Sequence, residues 1–295
     1  MRPLVSVLLP VYNAGPALLP AVWSILGQSL RDWELLVLDD ASTDSAIAPV
    51  ERIADERVRI VRDPVRRGLA GRLNKGIELA NGSYFARMDQ DDIAFPERMQ
   101  RQIEFLQRHD EVDLLGTRAL VFSERGEALG LLPFWQNHES ICRRPWLGFQ
   151  LPHPTWMGRA DWFRRHRYWM PEPKRAEDQD LLLRAYATSR FACLPEVLLG
   201  YRISAAGLGK ILAARMSASR AQLRTHLRNG RPGLAFLGAS ASLAKAGVDT
   251  ALAAMGQTLH TTRSLERPVG PAVLAEWHRL WRESSRWAAA SSNVS

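Results

Sequence analysis

Residues 87–99 read RMDQDDIAFPERM, which sets Asp89, Asp91 and Asp92 within four positions directly after the strand-like run SYFARM. Carboxylates at that spacing repel one another, and each is costly to desolvate unless a cation is brought to it. Their oxygens suit Mg2+ or Mn2+; Mg2+ typically takes only one or two carboxylates and completes its shell with phosphate oxygens and water. A solvated acidic turn is the competing reading. Placement at the end of a buried strand favours a metal shared with a phosphorylated ligand.

Other polar residues have the types for companion roles. In LDDASTD, Asp39 and Asp40 can accept hydrogen bonds from base or ribose groups, whereas Ser42, Thr43 and Asp44 are good helix caps, the role expected of Asp44. Arg72, in GLAGRLNKG, is either a surface helix charge or a phosphate partner; read alone, the surface charge is favoured. Glu177, Asp178 and Asp180 open the helical run AEDQDLLLR. There they complement a helix dipole, and a carboxylate on so rigid a mount also suits a general base. His153, between two prolines, reads first as structural, although its stiff segment could bring the imidazole to a ligand or metal.

These residues need elements to bring them together. VSVLLP, ELLVLD, RVRIVR, SYFARM and VDLLGTRALVF have the length and continuous apolarity of strands covered on both faces. Between them GPALLPAVWSILGQ, STDSAIAPVERIAD, GLAGRLNKGIELANG and AFPERMQRQIEFLQRHD have helical spacing. Strands alternating with helices predict an α/β fold with a doubly wound, mostly parallel sheet flanked by helices. Ligands gather at the carboxyl ends of such strands, where PVYN, DDASTD and DQDD all fall. No G-x-G-x-x-G or P-loop pattern follows any strand, which disfavours a dinucleotide or P-loop site. The middle, from about Leu131 to Tyr201, is rich in Trp, Pro, Arg and His; from about Ser204 the chain turns Ala-rich, helical and basic.

The 295 residues, 46% hydrophobic and 24% charged, allow one large or two smaller domains. The net charge of +8 belongs to the tail: from Arg202 onward 13 Lys and Arg stand against 4 Asp and Glu, and the preceding residues are nearly neutral. Cys142 and Cys193 are too few for a disulfide framework and read as buried free thiols in a reducing compartment. The opening MRPLVSVLLPVYNAG reads as a first strand rather than a signal segment, its apolar run being cut by Pro10. Residues 233–256 carry Lys245, Asp249 and many small side chains, so no membrane-spanning helix is predicted.

Taken in order, VSVLLPVYN, ELLVLDDASTD, GLAGRLNKGIELANGSYFARMDQDDIAFPERMQRQIEFL, HPTWMGRADWF and AEDQDLLLR resemble the family 2 glycosyltransferases of GT-A fold, particularly those building bacterial surface polysaccharides. The resemblance covers about Val5 to Ile203. It implies a GT-A domain over residues 1–203, with a nucleotide-sugar-binding half (1–121) and an acceptor and catalytic half (122–203), followed by a basic helical region (204–295). It implies that Asp89 and Asp91 form the D-x-D motif, with Asp91 the direct ligand of Mg or Mn. Pro10 and Tyr12 of PVYN, Asp40, Arg72 and Asp89 would line the nucleotide of a UDP-, dTDP- or GDP-linked sugar, although Leu73 separates Arg72 from Asn74 where the family usually joins Arg to Asn. Asp178 would be the catalytic base of an inverting transfer to an acceptor hydroxyl.

Processive relatives carry Q-x-x-R-W and spanning helices, and neither is found, so the transfer is expected to be non-processive. YRISAAGLG stands where many relatives have a His-rich segment. The tail either packs on the catalytic domain or attaches to an anionic membrane surface through Met216, Leu223, Leu227, Trp277 and Trp281 with neighbouring arginines. The second arrangement would suit a lipid-linked glycan acceptor and a cytoplasmic enzyme peripheral to the inner membrane. The rival readings are a nucleotidyltransferase and a basic nucleic-acid-binding protein; the near-neutral catalytic half argues against a nucleic-acid partner.

Overall fold

The computed structural model describes residues 2–170, 175–203, 207–255 and 264–292. The strands are β1 (Val5–Val11), β2 (Trp33–Asp39), β3 (Val58–Arg62), β4 (Tyr84–Arg87), β5 (Ile93–Ala94), β6 (Leu114–Phe122), β7 (Ala128–Leu131), β8 (Met157–Arg159) and β9 (Phe191–Arg202). They form one sheet in the order β3-β2-β1-β4-β8-β6-β9-β5, with β7 paired to β6. The long pairings of β1 with β2 and β4, β2 with β3, and β6 with β9 are parallel. The short β8 joins the two parallel groups by running antiparallel to both β4 and β6.

Helices cover both faces: α1 (Leu18–Leu26), α2 (Ile47–Glu51), α3 (Gly68–Leu79), α4 (Arg98–Arg108), α5 (His138–Ile141), α6 (Ala160–Arg165), α7 (Glu177–Ala185), α8 (Leu208–Arg228), α9 (Pro232–Ala254) and α10 (Pro271–Ser292). Every residue of β1 and β2 is buried, as their unbroken apolar runs require when both faces are covered. One core layer gathers α1, α2, α4 and α10 on the sheet; the other gathers α3, α6 and α7. The register Val11↔Asp39 brings the carboxyl ends of β1 and β2 level, so the loops carrying Tyr12 and Asp40 start at one edge.

Those loops are locked together. Asn13 Oδ1 accepts from Thr43 N at 2.8 Å, Ser42 Oγ accepts from Asn13 N at 3.1 Å, and Asp44 Oδ2 accepts from Gly15 N at 2.7 Å. Asp44 does more than the expected capping: its Oδ1 accepts from the N–H of Ala46, the N-cap residue of α2, at 3.3 Å, while its Oδ2 ties the loop after β2 to the loop after β1.

The C-terminal helices pack in two ways. Helix α10 inserts Trp277 into the main core, fully buried, 4.5 Å between ring centroids from Phe122, with its indole N–H donating to Gly126 O at 2.8 Å. Gly200 leaves the space this ring occupies, since a Cβ there would overlap it. Trp281 packs partly buried beside it. Of the two arrangements open for the tail, these two tryptophans follow the first, packing on the catalytic core. Helices α8 and α9 form a hairpin on α7, fixed by an ion pair of Arg224 with Asp180 and by Arg215 Nε donating to Asp249 Oδ2 at 3.0 Å. Among the described residues no helix is long and apolar enough to cross a membrane. Both cysteines are free; Cys193 is buried as expected, whereas Cys142 is only partly so, because α5 lies at the surface. The expected boundary near Ser204, and part of YRISAAGLG, lie outside the described residues.

Candidate active site

A cleft of about 450 Å3 opens at the carboxyl edge of the sheet, lined among others by Arg87, Asp89, His153, Glu177, Asp178 and Tyr201. Residues nearly ninety positions apart in sequence meet here because β4 ends at Arg87 and α7 begins at Glu177.

On the β4 side, Arg87 is 4% exposed and ion-paired with Asp89. Burial alone would lower the Arg87 pKa; the Asp89 carboxylate reverses this and holds it above the ordinary value. Among the described residues, Nε and Nη1 of Arg87 are buried without a hydrogen-bond partner. Asp91 is pushed up to about 6 by burial and by the charge of Asp89. Asp92 lies deeper and is raised well above the usual carboxylate range by burial and by both neighbouring aspartates. It has a building role: Oδ1 accepts from Arg202 N at 2.8 Å, while Arg202 Nε donates to Asp91 O at 2.9 Å, so β9 clamps the acidic turn.

On the α7 side, the acids occupy the first helical turn, where the dipole favours negative charge. The preceding Ala176 is left-handed, with φ of 67°, a conformation costing a non-glycine residue roughly 1–3 kcal/mol. Gln179 fixes this turn to the opposite wall: its Oε1 accepts from Phe149 N at 2.8 Å and its Nε2 donates to Phe149 O at 3.2 Å and to Asp178 Oδ2 at 3.2 Å. Burial raises Asp178, against the hydrogen bonds from Gln179, and burial with the adjacent Asp178 pushes Glu177 up to about 7. His153 is buried, its pKa pushed well down by burial and by Arg87, so the ring is neutral. Its Nε2 lies 2.7 Å from the Tyr168 hydroxyl.

The expected nucleotide residues sit beside this cleft with their own protein partners. Pro10 is within buried β1. Tyr12 exchanges hydrogen bonds with Gln90 through its N–H (2.7 Å) and carbonyl (3.3 Å), and the Arg66 guanidinium stands 3.8 Å over its ring. Asp40 accepts from Arg67 N (2.7 Å) and Gly68 N (2.8 Å), holding the start of α3. The surface reading of Arg72 is overturned: it is 1% exposed, and Nη1 donates to Asp39 O at 2.9 Å, because its helix face packs on the sheet. Arg87, Tyr168 and Gln179 were not singled out from sequence. Arg87 did leave a signal, a charge inside the buried strand Tyr84–Arg87.

The donor set fits a divalent ion that arrives with a phosphate. Asp89 and Asp91 crowd charge at one corner, yet among the described residues no group of three or more His, Cys, Asp or Glu is arranged to hold a metal alone. Two carboxylates completed by phosphate oxygens and water match the habit of Mg2+.

Residues 6–167 match the model of glycosyl transferase family 2. The chain is 34% identical to EpsE of Bacillus subtilis (strain 168) over 190 residues, 62% of this chain and 67% of EpsE. It is 30% identical over 118 residues, 40% of this chain and 47% of the relative, to the Escherichia coli UDP-Glc:alpha-D-GlcNAc-diphosphoundecaprenol beta-1,3-glucosyltransferase WfgD. The match to WfgD thus spans under half of that relative's length.

Among solved structures, S. aureus TarS 1-349 in complex with UDP-GlcNAc superposes with a TM-score of 0.64 at 17% identity, covering 96% of this chain and 81% of that one. The mannosyltransferase PcManGT from Pyrobaculum calidifontis, in complex with GDP-Man and Mn2+, gives 0.57 at 17% identity over 99% and 86%. Such identities establish the fold alone, the GT-A arrangement of a mixed, mostly parallel sheet between helices. With the family match over more than half its length and a relative 34% identical of which two thirds is covered, the chain belongs to glycosyl transferase family 2 and is a glycosyltransferase of GT-A fold.

Proposed function

We propose that the enzyme transfers one sugar per encounter, with inversion, from a nucleotide-sugar donor to the hydroxyl of a lipid-linked glycan in the assembly of a cell-surface polysaccharide. One observation carries this reading: the Asp89 side of the acidic turn and the Glu177–Asp178 turn face one cleft, with Arg87 between them. Asp178 takes the proton from the acceptor hydroxyl as that oxygen attacks the anomeric carbon; a single in-line displacement needs only this one base. Arg87, buried and permanently charged, lowers the cost of gathering Asp89, Asp91, Glu177 and Asp178 so closely. Asp91 and Asp89 would hold Mg2+ or Mn2+, which when bound neutralises charge on the departing diphosphate. Pro10, Tyr12, Asp40 and Arg72 shape the nucleotide side of the site.

The donor class is supported by TarS, which is seen with UDP-GlcNAc, and by PcManGT, which is seen with GDP-Man and Mn2+. The acceptor class is supported by WfgD, whose name specifies a sugar on diphosphoundecaprenol, and would place the enzyme peripherally on the cytoplasmic face of the inner membrane. The test is a screen of UDP-, dTDP- and GDP-sugars for Mg2+- or Mn2+-dependent hydrolysis and thermal stabilisation. One nucleotide class should protect the enzyme and be hydrolysed only with metal. Activity undiminished in EDTA would overturn the metal assignment, and retention of anomeric configuration in the product would overturn inversion.

A further inference from the structure

The α8–α9 hairpin has an outward face with no partner among the described residues. On α9 the positions turned outward include Phe236, Leu237, Ser240, Leu243, Ala244 and Val248. The two charged residues of this helix are committed inward: Lys245 Nζ donates to Leu147 O at 2.7 Å, and Asp249 is fully buried against Arg215. Near the tip of the hairpin Leu227 is 53%, Phe236 67% and Leu237 47% exposed, and farther along α9 Leu243 and Val248 are about half exposed. A contiguous exposed apolar face of this kind marks an interaction surface.

The charges around that face select its occupant. Exposed Lys210, Arg220, Arg228 and Arg231 belong to the same hairpin, Arg228 at the tip lying 5.0 Å over the Trp169 ring and Arg231 donating to the Tyr186 hydroxyl at 3.4 Å, whereas the only acid of residues 207–255 is the buried Asp249. A second copy docked face to face would set these arginines against their counterparts. A surface of acyl chains under anionic phosphates complements both the apolar face and its basic rim.

We propose that the outward face of α9, led by Phe236 and Leu237 and rimmed by Arg228 and Arg231, is the surface by which this enzyme lies on an anionic lipid bilayer. Its position serves a lipid-linked acceptor, and in that purpose the inference rests on the function proposed above. A hollow of about 310 Å3 between the hairpin and the catalytic domain is lined by Lys245, Arg215, Phe149 and Gln179, and the last two also line the catalytic cleft. The hollow therefore shares a wall with the cleft of Asp178, and α9 stands between that hollow and the proposed bilayer contact, in which Trp277 takes no part.

The test is flotation of the full-length protein with vesicles of phosphatidylcholine alone or mixed with phosphatidylglycerol. The protein should float with the mixed vesicles only. F236S/L237S should weaken binding at least about tenfold with melting temperature and nucleotide-sugar hydrolysis unchanged, because both side chains are exposed, and R228Q/R231Q should weaken it as well while also losing the Arg228 contact with Trp169 and the Arg231 bond to the Tyr186 hydroxyl. Equal flotation of F236S/L237S and wild type would overturn the proposal, as would equal binding to neutral vesicles. Light scattering that finds a dimer broken by F236S/L237S, without vesicle binding, would also overturn it and assign the face to a second copy. Vesicle binding needs no turnover, so a protein that floats as expected yet hydrolyses no nucleotide sugar would sink the proposed function and leave the lipid surface standing.

Discussion

His153 Nδ1 stands 3.8 Å from Glu177 Oε1. The ring is neutral, and its other nitrogen lies 2.7 Å from the Tyr168 hydroxyl. The arrangement that satisfies both sides has Tyr168 O–H donating to Nε2 and Nδ1–H directed at the Glu177 carboxylate. Tyr168 is held protonated by burial and so stays a donor. Tyr168→Phe should therefore loosen the imidazole and lower kcat by about 2- to 10-fold, the loss of one hydrogen bond of roughly 0.5–1.5 kcal/mol. Donor affinity should be unchanged; an equal loss of donor affinity would show that Tyr168 serves the nucleotide side instead.

The same pair of acids sets the pH dependence. Burial and the Asp178 charge push Glu177 up to about 7, and burial raises Asp178. As pH falls through about 7 the pair takes up a proton, so kcat/KM should fall with it. In Glu177→Gln the neighbouring charge is gone and Asp178 ionises more easily, which should move that limb to lower pH. An unmoved limb would assign it to another group. Stability has a defined sign as well: the folded state holds this proton more tightly than the unfolded chain, so ionising Glu177 from about pH 4.5 towards pH 7 lowers stability. Glu177→Gln should flatten that part of a stability-against-pH curve.

Asp178→Asn and Asp91→Ala should fail in different ways. The amide keeps the shape of the first turn of α7 but cannot accept a proton, so transfer should drop by about 100- to 10,000-fold while donor binding holds. Asp91→Ala should instead weaken metal-dependent donor binding, seen by calorimetry with and without EDTA. A similar loss of donor affinity in both variants would mean that Asp178 has been given the wrong role.

Much of this site was legible because its determinants are local. Unbroken apolar runs gave β1, β2 and β4, and acids directly after a strand gave Asp40, Asp89 and Asp91 their place at one edge. What was hidden depends on contacts distant in sequence. The arginine face of α3 reads as solvated until the sheet is set beneath Arg72, and Asp44 reads as a cap and nothing more until Gly15 is brought to it. The short β8 has too few residues for a periodic signal, yet its antiparallel pairing joins the two halves of the sheet. Trp277 and Trp281 showed a helical face but not which surface it meets, since that depends on space left by Gly200 and Gly126.

That last ambiguity yields a stability test. If Trp277 faced lipid or solvent, Trp277→Ala would change stability by no more than about 0.5 kcal/mol. Fully buried among Phe95, Phe122 and Gly200, with its N–H donating to Gly126 O, it should instead cost about 3–5 kcal/mol on removal. Gly200→Ala should destabilise from the other side, because the added Cβ meets the indole ring in a packed core that has little room to yield. Urea denaturation of both variants, beside wild type and F236S/L237S, checks the distinction. Losses for Trp277→Ala and Gly200→Ala with none for F236S/L237S would make α10 part of the catalytic core and leave α9 as the exposed helix; a neutral Trp277→Ala would return α10 to the surface.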